Sequence, residues 1–253
     1  MKRIALIPVY NEESTLLSVL EPLASLVDML VIVDDGSKDR SLALAEFWTR
    51  GRSQVRILRL SENRGMSSAL REGFIYLASQ LGNGSLDAED LILTLDADGQ
   101  HDSREIQALC SHVEKEGLDV ALTRRDFSLY PFHKRFGNRL MTLWGSALGG
   151  HRYFDVESGF RAMRVKVVPP LLDYYTGFRY SCAQEIAILT ARLGFRVDNR
   201  FNTVIQLYRS QTVVRDVFIN AALGFWAFAR WVLNRKIEGR CALARPVITS
   251  EPS

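Results

Sequence analysis

Apolar and polar positions alternate in blocks along the first half of the chain. Residues 4–9 are a short apolar run, and from residue 12 to about 27 Leu16, Leu17, Leu20 and Leu23 recur at helical spacing. Residues 29–33 are a second apolar run, after which Ser37 or Asp39 offers an N-cap for a helix reaching about residue 49. Residues 55–60 predict a third strand and 67 to about 81 a third helix. Beyond a polar loop at 82–89 come a fourth strand at 91–95, a helix over 103–116 and a fifth strand at 120–123. Short, wholly apolar strands alternating with helices predict an α/β fold whose mainly parallel sheet is covered on both faces. The second half is less regular. Residues 134–148, with Leu140, Met141, Trp144 and Leu148 on one side, and residues 183–193 predict helices. Residues 217–229 are apolar and uncharged and stop at Arg230. As a helix they reach roughly 20 Å, short of the ~30 Å hydrocarbon core, so no transmembrane helix is expected.

Composition adds bounds. The 253 residues suffice for one large domain or two small ones, and 47% apolar with 24% charged residues excludes collagen, coiled coil and wholesale disorder. Three cysteines without metal spacing or pairing fit a reducing compartment. The start, MKRIALIPVYNEE, is too short and too soon acidic for a signal peptide. The net charge of +3 hides an asymmetry. Residues 1–120 hold 12 Lys and Arg against 20 Asp and Glu, a balance of −8, and residues 121–253 hold 20 against 9, a balance of +11. An acidic half suits a metal ion, and a basic half suits an anion, a nucleic acid or an anionic membrane.

Ligands of such sheets bind beyond the carboxyl ends of the strands, and here those ends are polar. They read Tyr10-Asn11-Glu12, Asp34-Asp35-Gly36-Ser37, Asn63-Arg64-Gly65 and Asp96-Ala97-Asp98-Gly99-Gln100. Asp96 and Asp98, two positions apart where a strand frays, can both reach one hard cation, and Gln100 adds a neutral oxygen. Such donors suit Mg²⁺ or Mn²⁺. Asp34 and Asp35 can accept from ribose hydroxyls or a base N–H, and the same residues equally build a β-turn. Neither G-x-G-x-x-G nor G-x-x-x-x-G-K-[ST] occurs, so a pyrophosphate must be met by metal, Arg or Lys. The histidines, at 101, 112, 133 and 151, show no ligand spacing.

The segments IPVYNEEST, VDDGSKD, ENRG, LDADGQH and SGFRA, in this order, resemble family 2 glycosyltransferases of GT-A fold, and within them the dolichyl- or polyprenyl-phosphate sugar synthases. The resemblance runs from about Arg3 to Tyr208 and implies a Rossmann-like sheet, a GDP- or UDP-hexose donor, a divalent metal and inverting transfer. It implies that Pro8, Tyr10, Glu12, Asp34, Asp35 and Asp96 form the nucleotide pocket and that Asp96, Asp98 and Gln100 bind metal. Arg125 is implied to contact the acceptor phosphate, with Lys134, Asn138 and Arg161 beside it. Lys134 and Asn138 stand where the synthases usually carry Arg and Ser. Glu185 falls on the family's acidic position in a second-half helix. The synthases usually carry an Arg and G-x-S-K after residue 206, whereas this chain has Tyr208-Arg209-Ser210-Gln211-Thr212.

Asp98, Arg125, Lys134 and Glu185 are the expected catalytic residues. A lipid phosphate is already ionised near neutral pH and needs positioning more than a base. Transfer to a saccharide or glycolipid hydroxyl needs a base, for which Glu185 is the candidate. A non-catalytic nucleotide-sugar-binding or membrane-scaffold protein is the third reading. Residues 1–210 are expected to form the catalytic domain, divided near residue 123 into donor and acceptor halves. Residues 211–240 are expected as an amphipathic membrane-interface or packing helix and 241–253 as a disordered tail. Arg135 and Arg139 lie beside Leu140 and Trp144, and Arg230, Arg235, Lys236 and Arg240 follow the apolar run with Trp226 and Trp231. This pattern describes helices lying in a membrane interface, so peripheral association at the cytoplasmic face is expected, with no nucleic-acid partner.

Overall fold

The computed structural model describes residues 1–127, 130, 132–179, 181–203 and 214–243. The first half forms β1 (Arg3–Val9), α1 (Leu16–Leu23), β2 (Met29–Asp34), α2 (Ser41–Trp48), β3 (Val55–Arg59), α3 (Met66–Gly82), β4 (Leu91–Thr94), α4 (Ile106–Glu116) and β5 (Val120–Leu122). The second half adds β6 (Arg124–Arg125), α5 (Phe132–Gly149), β7 (Arg161–Arg164), α6 (Val168–Leu172), α7 (Cys182–Arg192), β8 (Val197–Asp198), β9 (Asn202–Thr203) and α8 (Val214–Leu243). Seven strands pair in the order β3-β2-β1-β4-β7-β5-β8, and β6 pairs with β9 separately. The large sheet is parallel except for β7, which runs antiparallel to both neighbours. It is the mixed, mainly parallel α/β sheet that the sequence predicts.

Both faces are buried because successive side chains of each strand point to opposite sides. Ile4, Leu6, Val31 and Val33 face α3 and α7 through Phe74, Leu77, Ile186 and Leu189. Ala5, Ile7, Leu30 and Ile32 face α1, α2 and α4 through Leu20, Trp48, Ile106 and Leu109. Fully burying each of the larger side chains is worth about 1.5–3 kcal/mol, which is why a near-continuous apolar strand was legible in the sequence. Pro8 lies in β1, where the ladder to β4 has already ended at Leu6 and Thr94. Proline has no N–H to extend that ladder, and β4 diverges just before Asp96.

Three elements differ from the sequence pattern. The first helix starts at Leu16 rather than near Glu12. The Glu12 carbonyl accepts from the Thr15 and Leu16 amides at 3.1 and 2.9 Å, and the Glu12 amide donates to Ser41 Oγ at 2.7 Å. The residues before the helix are thus stitched to the neighbouring loop. β7, with an arginine at each end, does not read as a strand, yet it fills the slot between β4 and β5. The acidic and basic halves therefore share one sheet. Finally, α8 runs for 30 residues, through 241–243, past the expected start of the tail. Residues 208–212, where the resemblance lapses, and 244–253 of the expected tail lie outside the described residues, as do the side chains of Arg235, Lys236 and Arg240. No helix among the described residues is long and apolar enough to cross a membrane.

Candidate active site

The polar strand ends converge on one edge and are laced together. Asn11, with φ +55°, donates its amide to Ser37 Oγ at 3.1 Å and accepts from the Lys38 amide at 2.8 Å. The Thr15 hydroxyl lies 2.9 Å from both the Glu12 carboxylate and the Ala97 carbonyl, tying the first loop to the fourth. Pro8 is buried and Tyr10 half-buried beside these loops. Burial raises the Glu12 pKa, and the charges of Asp98, Asp39 and Asp96 add to that rise against the Thr15 hydrogen bond. Glu12, Asp96 and Asp98 thus form one acidic neighbourhood.

Asp34 and Asp35 are both 2% exposed but do different work. The Asp35 oxygens accept from the Arg64 and Gly65 amides, each at 2.8 Å, at the start of α3. Gly65 has φ +94°, and a Cβ there would lie 2.7 Å from Arg179 Cα, so this turn requires glycine. Asp35 anchors this turn, and each of its oxygens keeps a lone pair beyond these two bonds. Asp34 Oδ2 takes only a 3.3 Å bond from the Ser37 amide, and Asp34 Oδ1 is buried with no partner among the described residues. Buried polar atoms are almost always satisfied, so this oxygen is the acceptor left over for a ligand N–H or hydroxyl.

Asp96 and Asp98 follow β4. Asp96 lies under the loop before β7: a Cβ on Gly159 would fall 2.3 Å from Asp96 Oδ2. The Gly159 carbonyl is pinned by the Thr94 hydroxyl at 2.8 Å, and the Ser158 and Thr123 hydroxyls meet at 2.6 Å. Burial pushes the Asp96 pKa up, but His101, Arg161 and Arg125 together outweigh it and hold the carboxylate below its ordinary range. His101 Nε2 lies 3.4 Å from Asp96 Oδ2, its ring packs on Phe160 at 5.5 Å between centroids, and its Nδ1 is buried without a partner among the described residues. Sequence spacing did not single out His101; its place just after the D-x-D-x-Q run was the available signal. Burial, then Asp96, raises the pKa of Asp98. The Gln100 amide and side-chain NH₂ donate to Asp98 at 3.0 and 2.6 Å. Gln100 thus steers Asp98 through its NH₂, which leaves its carbonyl oxygen for the expected ligand role.

The acceptor-side residues are also interlocked. Arg125 Nε and Nη2 grip the fully buried Asp155 at 2.7 and 2.9 Å, and Nη2 donates to Asn138 Oδ1 at 2.8 Å. Burial opposes the charge on Arg125, and Asp155 more than restores it. The Asn199 side chain clamps this corner, accepting from the Phe154 and Asp155 amides and donating to the Leu122 and Thr123 carbonyls. Arg161 is only 2% exposed, beneath Asp96 rather than on a basic surface. Lys134 is half-buried on α5, one turn before Asn138. Asp155 and Asn199 escaped the sequence reading because they meet Arg125 and Thr123 only through the fold.

Glu185 is enclosed more completely. Its side chain is fully buried, accepting from the Thr176 amide at 2.6 Å, the Thr176 hydroxyl at 2.5 Å and the Ser181 hydroxyl. Burial raises its pKa against these bonds. A carboxylate so occupied holds the turn before α7 and is not poised to take a proton from a substrate.

The Asp155 clamp predicts a stability effect. Arg125 is 18% exposed and Asp155 0%, and removing one partner of such a pair leaves a buried charge uncompensated, at a cost of about 3 kcal/mol. Asp155→Ala is expected to lower the urea unfolding free energy by that amount, and by less in an Arg125→Ala background. Equal losses in both backgrounds would exclude coupling between the two.

The family model for glycosyl transferase family 2 matches residues 4–180, a span holding all four polar strand ends and the Asp96–Gly159 contact. The chain belongs to glycosyl transferase family 2. It is a glycosyltransferase, and its acid pair Asp96 and Asp98 lies within this matched span. Over 250 residues it is 25% identical to the UDP-N-acetylglucosamine–dolichyl-phosphate N-acetylglucosaminyltransferase of Methanococcus voltae, covering 90% of this chain and 94% of that protein. It is 32% identical over 173 residues to the undecaprenyl-phosphate 4-deoxy-4-formamido-L-arabinose transferase of Edwardsiella ictaluri, covering 66% of this chain and half of that longer protein. Among solved structures, glucosyl-3-phosphoglycerate synthase from Mycobacterium tuberculosis in complex with UDP superposes with a TM-score of 0.64 over 91% of this chain and 79% of that one. At 16% identity this likeness shows a shared fold.

Proposed function

We propose that this glycosyl transferase family 2 enzyme moves a hexose from a nucleoside diphosphate sugar to a polyprenyl phosphate at a membrane surface, with inversion. The observation that carries this reading is the opposition of charges at one sheet edge. An oxygen of Asp34 without a partner among the described residues and the acids Asp96 and Asp98 suit the donor, Arg125 and Lys134 suit the acceptor phosphate, and the buried Arg161 lies beneath Asp96. The polyprenyl-phosphate acceptors of the Methanococcus and Edwardsiella relatives support the choice of acceptor.

Asp34 Oδ1 is the natural acceptor for a base N–H or ribose hydroxyl. The donor set at Asp96 and Asp98 is hard oxygen, one carboxylate kept ionised by neighbouring cations and the other raised by burial and by the first, which fits a divalent ion such as Mg²⁺ or Mn²⁺. When bound, that ion supplies Lewis-acid stabilisation of the charge on the departing diphosphate. Asp155 and Asn138 hold Arg125 rigid, and Lys134 adds a cation a turn away. An ionised phosphate oxygen held there forms the new bond to the anomeric carbon as the bond to the donor diphosphate breaks, and the electron pair leaves with the nucleotide. No proton is transferred, so a buried, fully bonded Glu185 is no handicap.

The test is a transfer assay with a panel of GDP- and UDP-sugars against a short polyprenyl phosphate, with and without Mn²⁺. Product is expected only with the divalent ion, and absence of product with every donor overturns the proposal. Lys134→Ala is expected to lower kcat/KM for the phosphate acceptor about 10–100-fold, the loss of one charge-assisted contact, with partial rescue in Lys134→Arg. Glu185→Gln is expected to lower stability by about 1–3 kcal/mol with turnover per folded molecule nearly unchanged. The reverse pattern favours a hydroxyl acceptor and sinks the phosphate reading.

A further inference from the structure

A groove of about 950 Å³ runs along α5, with neither Asp96 nor Asp98 in its lining. Four arginines line it, Arg124, Arg135, Arg139 and Arg152, with phenylalanines between them that include Phe136 and Phe154. Among the described residues no Asp or Glu lines it. Two other arginines of this half are neutralised, Arg125 by Asp155 at 2.7 Å and Arg200 by Asp198 at 2.5 Å. Here the guanidiniums of Arg124 and Arg152 instead lie 5.2 and 5.4 Å from the centre of the Phe154 ring. A ring holds these cations in place without cancelling their charge. Like charges gathered around one concavity repel, and an anion in the groove relieves the repulsion.

The surroundings identify the anion's carrier. On α5, Phe132, Phe136, Leu140 and Leu143 are 80, 62, 53 and 60% exposed. Such an apolar strip on a soluble surface marks an interaction site. It continues onto α8: Trp144 Nε1 donates to the Ala221 carbonyl at 3.0 Å, its ring lies 6.5 Å from Phe225, and Phe225 and Trp226 are 51 and 56% exposed. An apolar strip flanked by an arginine-lined groove matches a bilayer surface, where acyl chains and phosphates lie in adjacent layers. A free phosphate would match the arginines but not the strip.

We propose that this groove binds the phosphate headgroup of an anionic phospholipid next to the acceptor site, with which it shares Asn138 but not Arg125, Lys134 or Arg161, and so fixes how the enzyme sits on the membrane. The proposal rests on the membrane-surface reading above, and the experiment separates the two. Purified full-length protein is co-sedimented with vesicles of phosphatidylcholine alone and of phosphatidylcholine with phosphatidylglycerol. Wild type is expected to bind both, and the anionic vesicles more tightly. In Arg139→Gln/Arg152→Gln the preference for anionic vesicles is expected to fall about fivefold per arginine removed, with neutral-vesicle binding unchanged. Arg50→Gln/Arg56→Gln, which removes two exposed charges near the opposite sheet edge, is expected to keep the preference. Equal losses in the two double variants would reduce the effect to net charge and overturn the proposal. So would inorganic phosphate that blocks the preference at millimolar concentration, because the groove would then be a soluble-phosphate site. Phe136→Ser/Leu140→Ser tests the membrane reading alone. It is expected to lose neutral-vesicle binding, and failure of wild type to bind any vesicle sinks that reading rather than the choice of headgroup.

Discussion

Asp98→Asn is expected to reduce sugar transfer by about a thousandfold, the scale of losing a main source of electrostatic stabilisation in a closed site. The metal-free protein should not suffer. Burial first, and the Asp96 charge next, raise the pKa of Asp98, so the folded state disfavours its ionised form. For a carboxyl raised in this way, stability is gained as pH falls through the folded pKa and lost as pH rises through it. At neutral pH the wild-type protein carries that penalty, and asparagine does not. The metal-free variant should therefore melt at or above the wild-type temperature. Mn²⁺ should raise the wild-type melting temperature, by the equivalent of about 2.7 kcal/mol at a hundredfold excess over Kd. The rise should be larger near pH 7 than near pH 5, because protons and metal compete for the same oxygens. Thermal scans with and without metal check this, and a wild-type metal response in Asp98→Asn would remove Asp98 from the site.

Gly159→Ala is expected to cost nearly as much activity through a residue with no functional group. The added Cβ would stand 2.3 Å from Asp96 Oδ2 and 2.8 Å from its Cγ. The backbone cannot retreat easily, since the Thr94 hydroxyl holds the Gly159 carbonyl and Arg161 pairs into the sheet two residues on. The short Asp96 side chain must therefore move. Overpacking of this kind costs about 1–3 kcal/mol, so the variant folds, and kcat/KM is expected to drop at least about a hundredfold for a displacement on the order of 1 Å. Circular dichroism should be native-like while the metal-induced melting shift is weakened. A variant with full activity and a full metal response would show that Asp96 need not sit against the β7 loop.

The two predictions mark how far the site was legible. Asp96 and Asp98 are two residues apart at the end of an apolar strand, so the sequence alone places them on one frayed edge. Asp34 was legible for the same reason. Asp35 beside it was read alike, and the fold gives it a further task, holding the Arg64 and Gly65 amides. Arg125 was named from the family resemblance, yet its partner Asp155 stands 30 residues on and Asn138 13 residues on. Gln100 and Glu185 illustrate the same limit. Gln100 gives its NH₂ to Asp98 and keeps its carbonyl oxygen, whereas the Glu185 carboxylate is occupied by Thr176 and Ser181.

By itself, the sequence determined the alternation of strands and helices, the parallel sheet and the polar edge at its strand ends. These depend on local periodicity, on the burial of apolar runs and on turn residues, all encoded within a few positions. Only the tertiary structure decided which polar groups on that edge remain available. It set β7 antiparallel between β4 and β5, brought Gly159 against Asp96, closed Asp155 on Arg125 and left one oxygen of Asp34 without a partner among the described residues. The physical reason is valence. A carboxylate or guanidinium satisfies its hydrogen bonds with whatever donors and acceptors the fold brings within about 3 Å, and that proximity is settled by the packing of distant segments rather than by spacing along the chain.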